Sequence, residues 1–202
     1  MTLRLHRHAL SGHAHRVELF LSLLGLPCQL VDVDIRAGEH KQPAFLRLNR
    51  FGQIPVLEDG DHVVADSNAI LVYLALGHDP SGRWYPREPA VAAEVQRWLS
   101  VAAGPLVAGP GTARLAKVFG LPVDLPRATA VATQLLGVLD GHLTDRPFVA
   151  ATHPTIADLA LYTYTAHAPE GGIALEPYPH VRAWLGRIEA LPGFVPMPRS
   201  PS

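Results

Sequence analysis

Apolar positions in the first third of the chain switch between two periods. Over residues 2–6 they alternate around Leu3 and Leu5, which predicts a short strand. Behind Ser11, Val17, Phe20, Leu21 and Leu24 fall at i, i+3, i+4 and i+7, one face of a helix. Leu19, Leu23 and Leu26 lie on another face, so this helix is expected to be covered on both sides, with Gly25 and Pro27 stopping it. Residues 30–35 alternate again, Val31, Val33 and Ile35 between aspartates, and predict a half-buried strand. Arg36 to His40 is polar loop, and Pro43 to Leu48 a short helical turn. Residues 54–58 and 62–65 flank Asp59-Gly60-Asp61 as a β-hairpin. Asp66-Ser67-Asn68 then opens a helix carrying Ile70, Tyr73, Leu74 and Gly77 on one face, with Gly77 expected at C′. The order is βαβ-α-ββα.

From His78 to Pro89 the chain is rich in Gly, Pro and polar residues, and beyond it strand signals disappear. Helices are expected over 88–103, 112–119, 126–143, 155–167 and 178–191. Pro126 suits a first turn, and Thr155-Ile156-Ala157-Asp158 fits a capping box with Asp in place of Glu. Trp84, Trp98 and Trp184 read as packing residues.

The 202 residues suffice for one or two domains. Only 17% are charged, against a usual ~25%, so much of the surface is neutral or covered by a partner. A net charge of −1 gives no electrostatic case for nucleic acid or an acidic membrane. The longest nearly apolar run, Leu19 to Leu26, is too short for a span of ~20 residues, and the N-terminus has no apolar signal region. The single cysteine, Cys28, excludes an intramolecular disulfide framework and is expected to be a buried thiol. A soluble, reduced, cytoplasmic protein is the expectation. The close pairs His6/His8 and His13/His15 raise a metal site, but residues two apart at a helix start do not face each other, and no metal is expected.

The stretch Asn49-Arg50-Phe51-Gly52-Gln53-Ile54-Pro55-Val56-Leu57, followed by Asp66-Ser67, resembles the pattern Asn-Pro-x-Gly-x-Val/Ile-Pro-x-Leu then Glu/Asp-Ser of cytosolic glutathione transferases. Ser11 five residues before Arg16-Val17, Gly38-Glu39-His40-Lys41, Pro154 to Asp158 and the Leu191-Pro192-Gly193-Phe194 ending are similar too. Arg50 departs from the pattern by replacing a proline. The layout is that of Ser-type, bacterial-like members, nearest to the phi and theta classes. The resemblance implies an α/β thioredoxin-like N-terminal domain over 1–77, a linker over 78–87 and an all-α domain over 88–202.

It also implies a site. Ile54–Pro55 would be cis, which an X-Pro bond is only ~5–6% of the time in folded proteins. The Ile54 N–H and C=O would then pair with the cysteinyl backbone of glutathione. Asp66 would face the ligand's ammonium, Ser67 and the helix N-terminus its γ-glutamyl carboxylate, and Gln53 could bond the same end. His40 and Lys41, one of only two lysines, would hold the glycyl carboxylate. Ser11 would donate to the sulfur, with His13 or a backbone N–H at the helix start as rival donors. For Ser11, Asp66 and Ser67 the residues themselves leave a plain helix-capping role open. Glutathione is a co-substrate, no cofactor is expected, and the partner substrate is a small hydrophobic electrophile bound between the domains, against helices 88–103 and 112–119. A homodimer is expected. A thiol reductase would need a cysteine among residues 9–14, which read Ala-Leu-Ser-Gly-His-Ala; a non-catalytic ligand-binding or scaffold domain on the same fold is the other alternative.

Overall fold

The computed structural model describes residues 3–200; Thr2, at the start of the first expected strand, lies outside them. The chain runs β1 (Leu3–Arg7), α1 (Gly12–Leu23), β2 (Cys28–Asp32), α2 (Pro43–Leu48), β3 (Val56–Asp59), β4 (His62–Ala65) and α3 (Ser67–His78). Five helices follow: α4 (Pro89–Ala103), α5 (Thr112–Phe119), α6 (Leu125–His142), α7 (Ile156–Ala166) and α8 (Pro179–Glu189). This is a thioredoxin-like domain followed by a helical one.

The sheet has the order β2-β1-β3-β4, with β1 and β2 parallel and the other pairs antiparallel. Alternation sorts its faces. Leu3, Leu5 and Leu57 join α1 and α3 in the main core, while Val56 meets Val33 and Phe45 of the α2 side in a small second cluster. The strand expected over 30–35 is displaced. Its ladder runs from Cys28 to Asp32 in register with Leu3 to Arg7, and Val33 adds only an N–H to the Arg7 carbonyl at 2.8 Å. Val33 and Ile35 alternate because they pack on Phe45 and Leu48, not because they are strand. Cys28 is half-buried on the edge strand rather than buried, and burial pushes its thiol up to about 11.

α1 ends as expected: Leu26 N–H reaches the Leu21 carbonyl at 3.0 Å as the chain reverses at Gly25. Gly77 does not end α3. The helix continues through His78, whose Nε2 lies 3.0 Å from Asp59 Oδ2 and ties the last turn to the hairpin. All five later helices fall where the periodicity places them. An unexpected π-turn at Val107–Gly111 joins α4 to α5; Pro110 has no N–H for an ordinary i→i−4 bond, and Thr112 Oγ1 donates to the Val107 carbonyl at 2.8 Å instead. The capping box of α7 is present, with Asp158 Oδ2 accepting the Thr155 N–H at 2.8 Å. The other Asp158 oxygen takes Val149 N–H at 3.0 Å and the Trp184 indole at 2.9 Å. No described helix is long and apolar enough to cross a membrane.

α7 is the hub. It is buried from Ile156 to Thr165 and packs against α1, α3 and α4. Trp84, between α3 and α4, sets its ring against Phe20 and accepts the Ile156 N–H at 2.9 Å.

Candidate active site

The C-terminal end of β1, the N-terminal end of β3 and the C-terminal end of β4 lie side by side, because His6 pairs with Val56 and Val56 with Ala65. The loops beyond them carry Ser11, Ile54–Pro55 and Asp66–Ser67, so three distant segments converge on one sheet end.

Ser11 closes a tight turn after β1. Its N–H donates to the His8 carbonyl at 2.9 Å, while Leu10 N–H donates to His8 Nδ1 at 3.2 Å. The Ser11 backbone is extended (φ −86°, ψ 115°) and Oγ accepts the Ala14 N–H at 3.3 Å, the N-cap bond of α1. Capping uses an oxygen lone pair and leaves the hydroxyl hydrogen for another acceptor. The next residue, Gly12, is required by packing: a Cβ there would lie 2.8 Å from the Tyr164 ring of α7.

His13 Nδ1 lies 3.3 Å from Ser67 Oγ, which also receives Arg16 Nη1 at 3.3 Å. The guanidinium can only donate, so Ser67 Oγ is an acceptor there; toward His13 the hydroxyl either donates to a bare Nδ1 or accepts from Nδ1–H, according to the tautomer. Burial, helped by the Arg16 charge, lowers the His13 pKa to about 3, so the ring is neutral at neutral pH.

Arg16 is the residue that sequence reasoning missed as a site residue. It is 0% exposed. Nη1 also donates to Asn68 Oδ1 at 2.9 Å, while Nε and Nη2 are buried without a partner among the described residues. Burial lowers its pKa to about 10, still charged at neutral pH. Its sequence signal is a lone basic residue inside the apolar stretch of α1, four residues before Phe20.

At α3, Asp66 takes φ 76° and ψ 128°, a region L residues rarely occupy. Its Oδ1 accepts the Asn68 and Ala69 N–H groups at 2.9 and 3.0 Å, so Asp66 is the N-cap. The Ser67 N–H and Asp66 Oδ2 take no partner among the described residues.

Ile54–Pro55 is cis, and the Ile54 N–H and C=O make no bond among the described residues. The preceding loop is held by Asn49, whose side chain donates to the Gln53 carbonyl at 2.8 Å and accepts the Phe51 N–H at 3.0 Å. Lys41, in a 3-10 turn over Glu39–Lys41, donates to the Phe51 and Gly52 carbonyls at 3.1 and 2.9 Å. His40 Nδ1 is buried without a partner among the described residues, and Gln53 is exposed. A groove of about 410 Å³ runs between α3 and α4 past Asp66, Val72, Leu99 and Ser100. α5 reaches the site elsewhere, with the Phe119 ring edge-on to His8 at 6.1 Å.

Residues 1–76 match the family described as glutathione S-transferase, N-terminal domain, and residues 127–192 its C-terminal domain. Human glutathione S-transferase theta-2 is 33% identical over 202 residues, spanning 96% of this chain and 83% of its own length. Its crystal structure, a complex with glutathione and an unknown ligand, superposes with a TM-score of 0.85 over 94% of this chain and 82% of its own, at 32% identity. Glutathione S-transferase 3 of Zea mays is 35% identical over 219 residues, spanning 99% and 97%. A crystal structure of glutathione S-transferase from Pseudomonas fluorescens superposes with a TM-score of 0.92 at 33% identity, covering 98% and 99%. A likeness this even, from the β1 strand to the last helix and through both halves of the molecule, leaves one assignment: the chain belongs to the glutathione S-transferase family.

Proposed function

We propose that this glutathione S-transferase binds glutathione extended across the open end of its sheet, holds the sulfur as a thiolate and passes it to a small hydrophobic electrophile. The observation that carries the reading is Arg16. A buried guanidinium with two unpartnered nitrogens stands behind a helix N-terminus with a free N–H, an arrangement suited to a carboxylate. The γ-glutamyl carboxylate docks on Ser67, whose hydroxyl already carries the Arg16 contact, and Asp66 Oδ2 takes the neighbouring ammonium. Gln53 bonds the same end, and the Ile54 backbone pairs with the cysteinyl unit. Lys41 has three donors and uses two on the loop, so one remains for the glycyl carboxylate, with His40 beside it.

A free thiol has a pKa near ~8.5, and lowering it by ~2 units requires ~2.7 kcal/mol. The Ser11 hydroxyl hydrogen and the N-terminus of α1 together supply that order of stabilisation. Neutral His13, in the tautomer that carries its proton on Nε2, is the competing donor. The sulfur lone pair then forms a bond to the electrophilic carbon, and the leaving group departs with its electron pair. Between the domains, α4 and α5 flank the electrophile.

The chain acts as a homodimer in this reading. Phe51 is 80% exposed at a loop tip, Val138 of α6 is 59% exposed, and an apolar hollow of about 250 Å³ lies between α4 and α6, lined by Trp98, Val101, Pro105 and Leu135. A second copy covers both surfaces when Phe51 enters that hollow. We assign its action to the cytoplasm, a reducing compartment that suits an unpaired cysteine and a thiol substrate. Retention on immobilised glutathione with turnover of an aryl halide tests the activity; retention without turnover would leave only a binding domain.

A further inference from the structure

We infer that Arg114, in the helical domain, is a positioning residue for the thiol-activating serine. The inference rests on the reading of Ser11 as the sulfur's hydrogen-bond donor. Arg114 belongs to α5, yet it is 2% exposed and its Nη1 donates to the Leu10 carbonyl at 2.7 Å, across 104 residues of sequence. Leu10 C=O and Ser11 N–H are the two ends of one planar peptide unit. The N–H end is held by the His8 carbonyl at 2.9 Å and the C=O end by Arg114. With both ends of that plane fixed, the Ser11 Cα is held in place, and from there the bond that Oγ accepts from Ala14 N–H sets the direction of the side chain.

The guanidinium is itself held. Nε donates to Glu170 Oε2 at 2.7 Å, and Glu170 Oε1 accepts from His167 Nδ1 at 2.8 Å and from Ser200 N–H at 3.3 Å. Burial alone would raise the Glu170 pKa, but the bonds from His167 and Arg114 outweigh it and keep the carboxylate ionised. The turn carrying Glu170 is pressed onto α5, since a Cβ at Gly171 would lie 2.8 Å from the Arg114 backbone nitrogen. The Phe119 ring lies 5.9 Å from the guanidinium and, edge-on, 6.1 Å from His8, so the same cluster also touches the start of the turn. A charged, buried side chain with this set of partners is costly to build for packing alone, because apolar residues of similar volume would fill the space.

The test titrates the thiolate absorbance of bound glutathione in Arg114→Gln, Arg114→Lys and Ser11→Ala. Arg114→Gln should raise the bound thiol's pKa by about one unit and lower neutral-pH turnover roughly ten-fold, with glutathione Kd changed less than about two-fold. Arg114→Lys, which can still donate to the Leu10 carbonyl from one nitrogen, should recover part of both; it also carries the test if Arg114→Gln does not fold. A titration unmoved in both Arg114 variants while Ser11→Ala shifts it would overturn the role of Arg114 and leave Ser11 standing. A titration unmoved in all three would remove both. A loss confined to Kd would also overturn it.

Discussion

His13 Nδ1 and Ser67 Oγ meet at 3.3 Å, joining the first turn of α1 to the first turn of α3. Arg16 donates to the same hydroxyl, so three side chains from two helices share one hydrogen-bond centre. In the proposed reading, the places for the γ-glutamyl end and for the sulfur are linked through neutral His13.

Asp66 caps α3 through Oδ1 and keeps Oδ2 free, so its two roles separate by substitution. Asp66→Asn keeps a capping oxygen but loses the charge. Thermal stability should stay within about 0.5 kcal/mol of the parent, while glutathione binding weakens by roughly 1.5–3 kcal/mol, because the ligand's ammonium loses its charged partner. Calorimetry checks both; unchanged affinity would reduce Asp66 to a cap.

Arg16→Met removes a buried charge that has two unpartnered nitrogens and fills a similar volume. Replacing a poorly compensated buried charge with an apolar side chain is often neutral or stabilising. The unliganded melting temperature should hold or rise, and glutathione Kd should increase roughly ten-fold or more through loss of a charge-assisted contact. Lower stability with unchanged Kd would make Arg16 purely structural.

His15 gives stability a defined pH dependence. It is 3% exposed, with Nδ1 2.9 Å from Thr163 Oγ1 and Nε2 donating to the Val195 carbonyl at 2.9 Å. Burial is the main cause of a pKa lowered to about 4, with the Arg16 and His167 charges adding and the Val195 bond opposing. The unfolded side chain titrates near ~6.5, so between these values the unfolded state binds more protons and acid favours unfolding. His13 acts in the same sense. Stability should be full above about pH 6.5 and fall by up to ~1.4 kcal/mol per unit for each histidine as pH drops toward 4. Denaturant melts at pH 7.5 and 5 check this, and His15→Gln should flatten the slope by about half.

Phe51→Ser tests the dimer. Light scattering should give the parent twice its 21.8 kDa chain mass, and the variant should dissociate at higher concentration, by roughly 1.5–3 kcal/mol for an aromatic ring left unburied. A parent that runs as a single chain at micromolar concentration contradicts the pairing.

Local rules made the caps legible. Ser11, Asp66 and Thr155 each precede an apolar run and each accepts N–H groups of its own helix. The Asn49 loop was legible only through its resemblance to the family pattern; the two side-chain bonds that hold it appear in the structure. Arg16 and Arg114 escaped for the opposite reason: their partners lie 51 and 104 residues away, and no periodicity records such a contact. Val33 and Ile35 misled because side-chain alternation reports the buried face and not the hydrogen-bond ladder. Gly77 misled because a tertiary bond from His78 to Asp59 holds the final turn that local propensity would end.

In the proposed reading the Ser11 hydroxyl, already an acceptor for Ala14 N–H, gives its hydrogen to the glutathione sulfur. Ultraviolet titration of the bound thiolate in Ser11→Ala measures this directly, with His13→Ala alongside. Ser11→Ala should raise the thiol pKa and lower neutral-pH turnover roughly ten- to hundred-fold, a loss of about 1.4–2.7 kcal/mol, with little change in glutathione Kd. A thiolate titration unmoved in Ser11→Ala but displaced in His13→Ala would contradict it and give the donor role to the imidazole.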